Sequence, residues 1–258
     1  MSDQIDQMLA RAIEVTVQAS AIPMTHFRKP LELVAKADET PVTIADRDTE
    51  TFIRRKLAEA FPEDGLFGEE FGVAEGRSGA LWIIDPIDGT RSFITGNPLF
   101  GMLLGRVVAG VPEVGVVRMP ALGETFAGAR GRGAWLNGAP IRVRATKTLA
   151  EAMLYVNEAE KIEAADPARF ARLCRAGHTR RMGYDCYPHA LVAAGQIDVV
   201  VDCGLQPYDY LPLIALVEGA GGVICDWQGR ALTLQSDGRV ITAATPELRD
   251  QMIALLSG

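Results

Sequence analysis

The chain has 258 residues, of which 48% are hydrophobic and 23% charged, values that fit a folded body with a large core rather than a disordered chain. No run approaches the roughly 18 uninterrupted apolar residues that a membrane helix needs. A net charge of −7 argues against a nucleic-acid surface, which demands clustered positive charge.

Ile5, Met8, Leu9, Ala12 and Ile13 recur at helical spacing and predict an amphipathic helix running to about Ala21 and Pro23. Asp3 and Asp6 lie inside that pattern, where a secretory signal would show a basic start and an apolar block. Cytoplasmic residence is the expectation. Phe52, Ile53, Leu57 and Phe61 mark a second helix, entered near Asp46 and stopped at Pro62. Leu81 to Ile84 reads as a short buried strand halted at Asp85-Pro86. From Phe100 to Val143, β-branched and apolar segments alternate with turns at Ala109-Gly110 and Asn137-Gly138, a pattern of antiparallel strands.

In the second half, a helix begins near Asp166-Pro167 and carries Phe170 and Leu173, and another spans Ala190 to Ala194 with Gly195 to cap it. Ile197 to Val201 is a strand, Leu211 to Val217 an apolar helix closing in Gly219-Ala220-Gly221-Gly222, and Val223 to Cys225 a further strand. Pro246 opens the last helix, with Met252 and Leu255 inward. Cys174, Cys186, Cys203 and Cys225 form no C-x-x-C pair and read as small core residues in a reducing compartment. His178 and His189 read as surface or core histidines rather than catalysts. One compact α/β body of two lobes is expected, residues 1–147 and 148–258.

Chemistry concentrates in Trp82-Ile83-Ile84-Asp85-Pro86-Ile87-Asp88-Gly89-Thr90, where two acids sit three apart beyond an apolar strand. Pro86 fixes φ between them, and Gly89 permits the close backbone approach that a phosphate requires. An Asx turn with Asp88 as an N-cap would explain the same residues without chemistry. Glu69 and Glu70 end another short apolar run, and Asp209 stands at the entrance of the Leu211 helix. Carboxylates converging in one cleft must raise their pKa values or share cations, and an all-oxygen set suits Mg²⁺.

The combination of Gly68-Glu69-Glu70, Trp82 to Thr90, Gly133-Ala134 with Asn137-Gly138, and Asp209 followed by Glu218-Gly219-Ala220-Gly221-Gly222 resembles the inositol monophosphatase superfamily over nearly the whole chain. The resemblance implies a layered αβαβα sandwich with largely antiparallel sheets, a homodimer, and a small-molecule phosphate ester as substrate. It implies two or more Mg²⁺ per site, with ligands at Glu70, Asp85, Asp88, Asp209 and the carbonyl of Ile87, and phosphate contacts from Gly89 and Thr90. Thr90 and Asp46 resemble the residues that orient the attacking water, Glu69 a supporting acid, and Lys36 the basic residue of an early K…D-x-x-x-T-x-A-D segment. The first lobe thus carries most of the metal and phosphate site, and the second the specificity residues and the last ligand.

For the substrate, Arg180-Arg181-Met182-Gly183-Tyr184-Asp185-Cys186-Tyr187, Pro207-Tyr208-Asp209-Tyr210-Leu211 and Val217 to Gly222 are similar to the histidinol-phosphate phosphatases of that superfamily. Histidinol phosphate carries an ammonium and an imidazole, so its pocket needs acceptors, and Asp185 and Asp202 are the candidates. Asp185 reads equally as an N-cap of the Ala190 helix. An inositol phosphatase or other small-sugar phosphatase is the alternative. A catalytically inert binding protein of the same fold is disfavoured, because Glu70, Asp85, Asp88, Thr90 and Asp209 are all present. Gly72 to Ser78 lacks the spacing and the lysine of a P-loop.

Overall fold

The structure, a computed structural model, describes residues 2–29, 33–35 and 41–258, with side chains described over 4–29 and 44–258. Helices α1 (Ser2–Ala19), α2 (Ala21–His26) and α3 (Ile44–Ala60) come first, with a small ladder of β1 (Leu33–Ala35) and β2 (Pro41–Thr43) between the last two. Pro23 falls in the first turn of α2, where a missing N–H leaves no hydrogen bond unmade.

An eight-stranded sheet follows, built from β3 (Gly65–Gly68), β4 (Gly72–Ala74), β5 (Ala80–Asp88), β6 (Gly101–Val108), β7 (Val111–Met119), β8 (Glu124–Ala129), β9 (Gly133–Leu136) and β10 (Ala139–Ile141). Its order is β10-β9-β8-β7-β6-β5-β3-β4, antiparallel except where β3 runs parallel to β5. The short helix α4 (Thr90–Ile94) follows β5 directly. The second sheet contains β11 (Met153–Asn157), β12 (Thr179–Gly183), β13 (Val199–Asp202), β14 (Val223–Cys225) and β15 (Val240–Ala243), in the order β12-β11-β13-β15-β14. This sheet is mixed, because β11 pairs parallel with both β12 and β13. Helices α5 (Ala159–Ala165), α6 (Pro167–Leu173), α7 (Tyr187–Ala193), α8 (Pro207–Gly219) and α9 (Pro246–Ser257) complete the chain.

Alternation along the strands sorts these elements into five layers, αβαβα. Trp82, Ile84, Met102 and Leu104 face Met8, Leu9, Ala12 and Val15 of α1 and Ile53 and Leu57 of α3. Ile83, Leu103, Val117 and Phe126 face the opposite way, onto α7 and α8. The second sheet packs Leu154, Val156, Val199, Val201 and Ile241 against Ile162, Leu248, Met252 and Leu256. Each fully buried aliphatic side chain contributes roughly 1.5–3 kcal/mol. In α9 the inward partner of Met252 is Leu256, with Leu255 only half-buried, since a spacing of four keeps both on one stripe.

Two features position the site. First, β5 does not stop at Pro86. It runs on to Asp88 through a bulge, in which Asp85 pairs with Leu103 and Asp88 with Gly101. Two residues, 86 and 87, thus oppose a single residue of β6, and Pro86 is tolerated because a bulge leaves its position without a ladder bond. Second, Gly105, Gly115 and Gly128 pair in one row across β6, β7 and β8. A Cβ at Gly115 would fall 1.9 Å from the carbonyl oxygen of Pro212, and one at Gly128 would fall 2.4 Å from Cα of Leu216. The row brings the backbone of α8 onto the first sheet, so a helix late in the chain delivers its first turn to the end of β5.

Candidate active site

Asp85 and Asp88 are both buried at the bulged end of β5, and Asp209 reaches them from the first turn of α8. One carboxylate oxygen from each lies within 4.8 Å of the others. Local hydrogen bonds fix all three. Asp85 Oδ1 accepts from the N–H of Ile87 at 3.0 Å, Asp88 Oδ2 from the N–H of Cys186 at 2.5 Å, and Asp209 Oδ2 from the N–H of Gln206 at 2.7 Å. The last is half of a capping box between Gln206 and Asp209, so the same contact that starts α8 aims its carboxylate.

Burial is the main force acting on these acids, and their mutual repulsion adds to it. Asp85 is held well above the usual carboxylate range by burial, then by the charges of Glu69, Asp88 and Asp209. Asp88 is pushed up to about 8 by burial and by Asp209, against the opposing Cys186 N–H. Asp209 rises to about 7, again through burial first. Such a group cannot ionise fully by itself. A hard divalent cation would relieve both the burial and the repulsion, and an all-oxygen donor set fits Mg²⁺.

Glu69 and Glu70 follow β3 at the neighbouring edge. The N–H of Glu69 bonds the carbonyl of Ile84 at 3.2 Å, and its charge bears on both Asp85 and Asp209. Glu70 is not part of the 4.8 Å group. Its main chain is fixed from α3, where the fully buried Glu50 accepts from the N–H of Glu70 at 2.7 Å and of Phe71 at 3.3 Å, and pairs with Arg54 at 2.7 Å. A Cβ at Gly68 would come within 2.1 Å of Glu50 Oε1, so only glycine lets β3 pass this carboxylate. Asp46 is buried in the first turn of α3, one turn before Glu50. Lys36 lies outside the described residues.

On the other side, Gly89 turns the chain in the left-handed conformation at φ +86° and α4 starts at once. Thr90 Oγ1 donates to the carbonyl of Ile87 at 3.1 Å. With its proton committed there, the Thr90 oxygen is left as an acceptor. A cavity of about 170 Å³ opens between Glu69, Gly89, Thr90, Lys161 and Asp185. Lys161 pairs with Glu158 at 2.5 Å.

Asp185 stands against Gly89, so close that a Cβ there would fall 2.6 Å from its Oδ2. Its carboxylate accepts from Ser92 Oγ at 3.0 Å and is pushed upward in pKa by burial and by Asp88. It does not cap α7, whose N-cap position is Cys186 and has no side-chain cap. Asp202 is fully enclosed. Its Oδ2 accepts from Asn157 at 2.7 Å and meets His189 Nε2 at 3.0 Å, and its Oδ1 accepts from the N–H of Cys203 at 2.7 Å.

Glu50, Ser92, Asn157 and Lys161 are the site residues that sequence reading passes over. Only Glu50 leaves a trace, standing four residues after Asp46 and four before Arg54 on one helix face.

The profile of the inositol monophosphatase family matches residues 4–258. A histidinol-phosphatase of Chlorobaculum parvum is 41% identical over 236 residues, covering 90% of each chain. The bifunctional phosphatase IMPL2 of Arabidopsis thaliana, chloroplastic, is 34% identical over 243 residues, 93% of this chain and 70% of the relative. Among solved structures, an inositol monophosphatase from Zymomonas mobilis superposes with a TM-score of 0.88 at 35% identity, covering 98% of each chain. With its fold shared by a solved member and residues 4–258 matched by the family profile, the chain belongs to the inositol monophosphatase family.

Proposed function

We propose that this chain is a Mg²⁺-dependent phosphomonoesterase whose substrate is histidinol phosphate. The observation that carries the substrate reading is Asp185. Its carboxylate lines the cavity beside Gly89 and Thr90, so a phosphate seated there would leave the far end of its ester within reach of an anion. An ammonium on the ester answers that anion with a charge-assisted hydrogen bond. The 41% identity to a histidinol-phosphatase supports the same reading.

Glu70, Asp85, Asp88 and Asp209, with the Ile87 carbonyl, would hold the metal ions, and Glu69 would flank them. Mg²⁺ supplies the Lewis acidity that acidifies water and neutralises phosphoryl charge. The protein's own share is placement. Thr90, its proton tied to Ile87, can accept from the attacking water and aim a lone pair at phosphorus, and Asp46 is assigned to the same task. The missing side chain of Gly89 makes room for the Asp185 carboxylate, and the main chain of Gly89 and Thr90 would meet the phosphate oxygens. The cavity wall at Asp185 orients the alcohol that departs.

A homodimer and cytoplasmic residence belong to this reading as expectations of the resemblance. Among the described residues no helix is long and apolar enough to cross a membrane. Inositol 1-phosphate is the second candidate, favoured by the 35% identity to an inositol monophosphatase. Phosphate release from histidinol phosphate, inositol 1-phosphate, fructose bisphosphate and 3′-phosphoadenosine 5′-phosphate, each with and without Mg²⁺, tests the proposal. A higher kcat/KM for inositol 1-phosphate than for histidinol phosphate would transfer the substrate assignment.

A further inference from the structure

Asp185 adopts φ +61°, in the left-handed region, which is uncommon outside glycine although Asp tolerates it better than most residues. What holds it is Asn157, the last residue of β11 and fully enclosed. Its amide nitrogen has two protons and two acceptors, the carbonyl of Asp185 at 3.0 Å and Asp202 Oδ2 at 2.7 Å. The orientation of that amide is determined by charge. Turned over, it would set its own oxygen against the Asp202 carboxylate, acceptor facing acceptor.

Asp202 is itself held on three sides, by Asn157, by the Cys203 N–H and by His189, whose other ring nitrogen meets Thr242 Oγ1 at 2.8 Å. All four side chains, Asn157, Asp202, His189 and Thr242, are fully buried. Room for the amide comes from Gly183, its register partner on β12, where a Cβ would fall 2.5 Å from Asn157 Oδ1. The network ends at the backbone of Asp185, which with Glu158 brings carboxylates from the second lobe to the cavity.

We propose that Asn157 is a positioning residue for substrate recognition. With Asp202 and His189 as its anchor, it locks the backbone of Asp185 so that the carboxylate stands over Gly89 and against Ser92. Asp202 therefore acts through Asn157 and not by touching substrate. The inference rests on reading Asp185 as the receptor for the substrate's cation.

The test is Asn157→Leu, which keeps the branched shape of the side chain and removes both donors, assayed on histidinol phosphate and on 2-glycerophosphate, a monoester without a cation. KM for histidinol phosphate should rise about tenfold with kcat little changed, the loss of one charge-assisted contact, while KM for 2-glycerophosphate moves far less. Adding Asp185→Ala to Asn157→Leu should cost nothing further. Gly183→Ala, which pushes the amide aside, should reproduce the phenotype and serves if Asn157→Leu fails to fold. An equal fall of kcat on both esters, or additive losses in the double variant, would overturn the proposal. So would a crystal structure of the variant in which Asp185 keeps its left-handed φ and its Ser92 bond. If Asp185→Ala alone leaves histidinol phosphate unaffected, the substrate reading fails instead, and the crystal structure still decides the role of Asn157.

Discussion

The carboxylate of Glu50 receives the main-chain N–H of Glu70 at 2.7 Å, across twenty residues of sequence and from a different layer. That bond makes α3 the support for the acidic turn after β3. Glu50→Gln should therefore disturb the turn without emptying the space, since the NH2 of the new amide meets a donor whichever way it turns, either the N–H of Glu70 or those of Phe71 and Arg54. The expected cost is roughly 1–3 kcal/mol of stability, read by urea unfolding, with a higher Mg²⁺ requirement for hydrolysis. Unchanged Mg²⁺ activation would separate the turn from the metal site.

Activity should vanish in EDTA and return with Mg²⁺, and Asp85→Asn or Asp88→Asn should lower kcat by several orders of magnitude while the fold persists. Removing one charge from a shared oxygen cage weakens the cation and leaves water near its bulk pKa. Thr90→Ala should lower kcat more than it raises KM, because aiming the attacking water matters chiefly in the transition state. Full turnover by EDTA-treated enzyme would refute the metal assignment, and wild-type turnover by Thr90→Ala would remove its role.

The metal-free protein should lose stability as pH rises. Asp85, Asp88 and Asp209 have folded pKa values raised above the unfolded value of about 4. The folded state then binds more protons than the unfolded one, so the unfolding free energy falls between about pH 4 and the folded values, about 8 for Asp88. Melting in EDTA should occur several degrees lower at pH 8.5 than at pH 5.5, and Mg²⁺ should raise Tm more at the higher pH. A Tm that climbs with pH in EDTA would mean that the three acids are ionised without a cation.

Much of this was legible in the sequence because it is local. Periodicity gives α1 and α3, the turns at Ala109-Gly110 and Asn137-Gly138 mark the hairpins, and Asp85 and Asp88 stand out by spacing alone. The bulge was not legible, since Pro86 is an ordinary strand terminator until its register with β6 is known. Nor was the glycine row, because Gly105, Gly115 and Gly128 are turn residues in one dimension and a helix seat in three. Asn157 and Glu50 act through buried hydrogen bonds to residues 20 to 45 positions away, and no pattern of residue types encodes such a pairing.

Substrate choice should depend on Asp185. A carboxylate facing a substrate ammonium makes a charge-assisted hydrogen bond worth roughly 1.5–3 kcal/mol, so Asp185→Ala should lower kcat/KM for histidinol phosphate by about ten- to a hundredfold. Inositol 1-phosphate carries no cation on its alcohol, and its loss should be smaller. The Ser92 hydroxyl, left without its acceptor, can serve the polyol and reduce that loss further. Because burial favours the protonated form of Asp185 and only its ionised carboxylate binds a cation, the preference for histidinol phosphate should weaken as pH falls from 8. Kinetics of both esters on both enzymes across that range decide the matter: equal losses, or a preference that weakens with rising pH, would release Asp185 from the role of cation receptor.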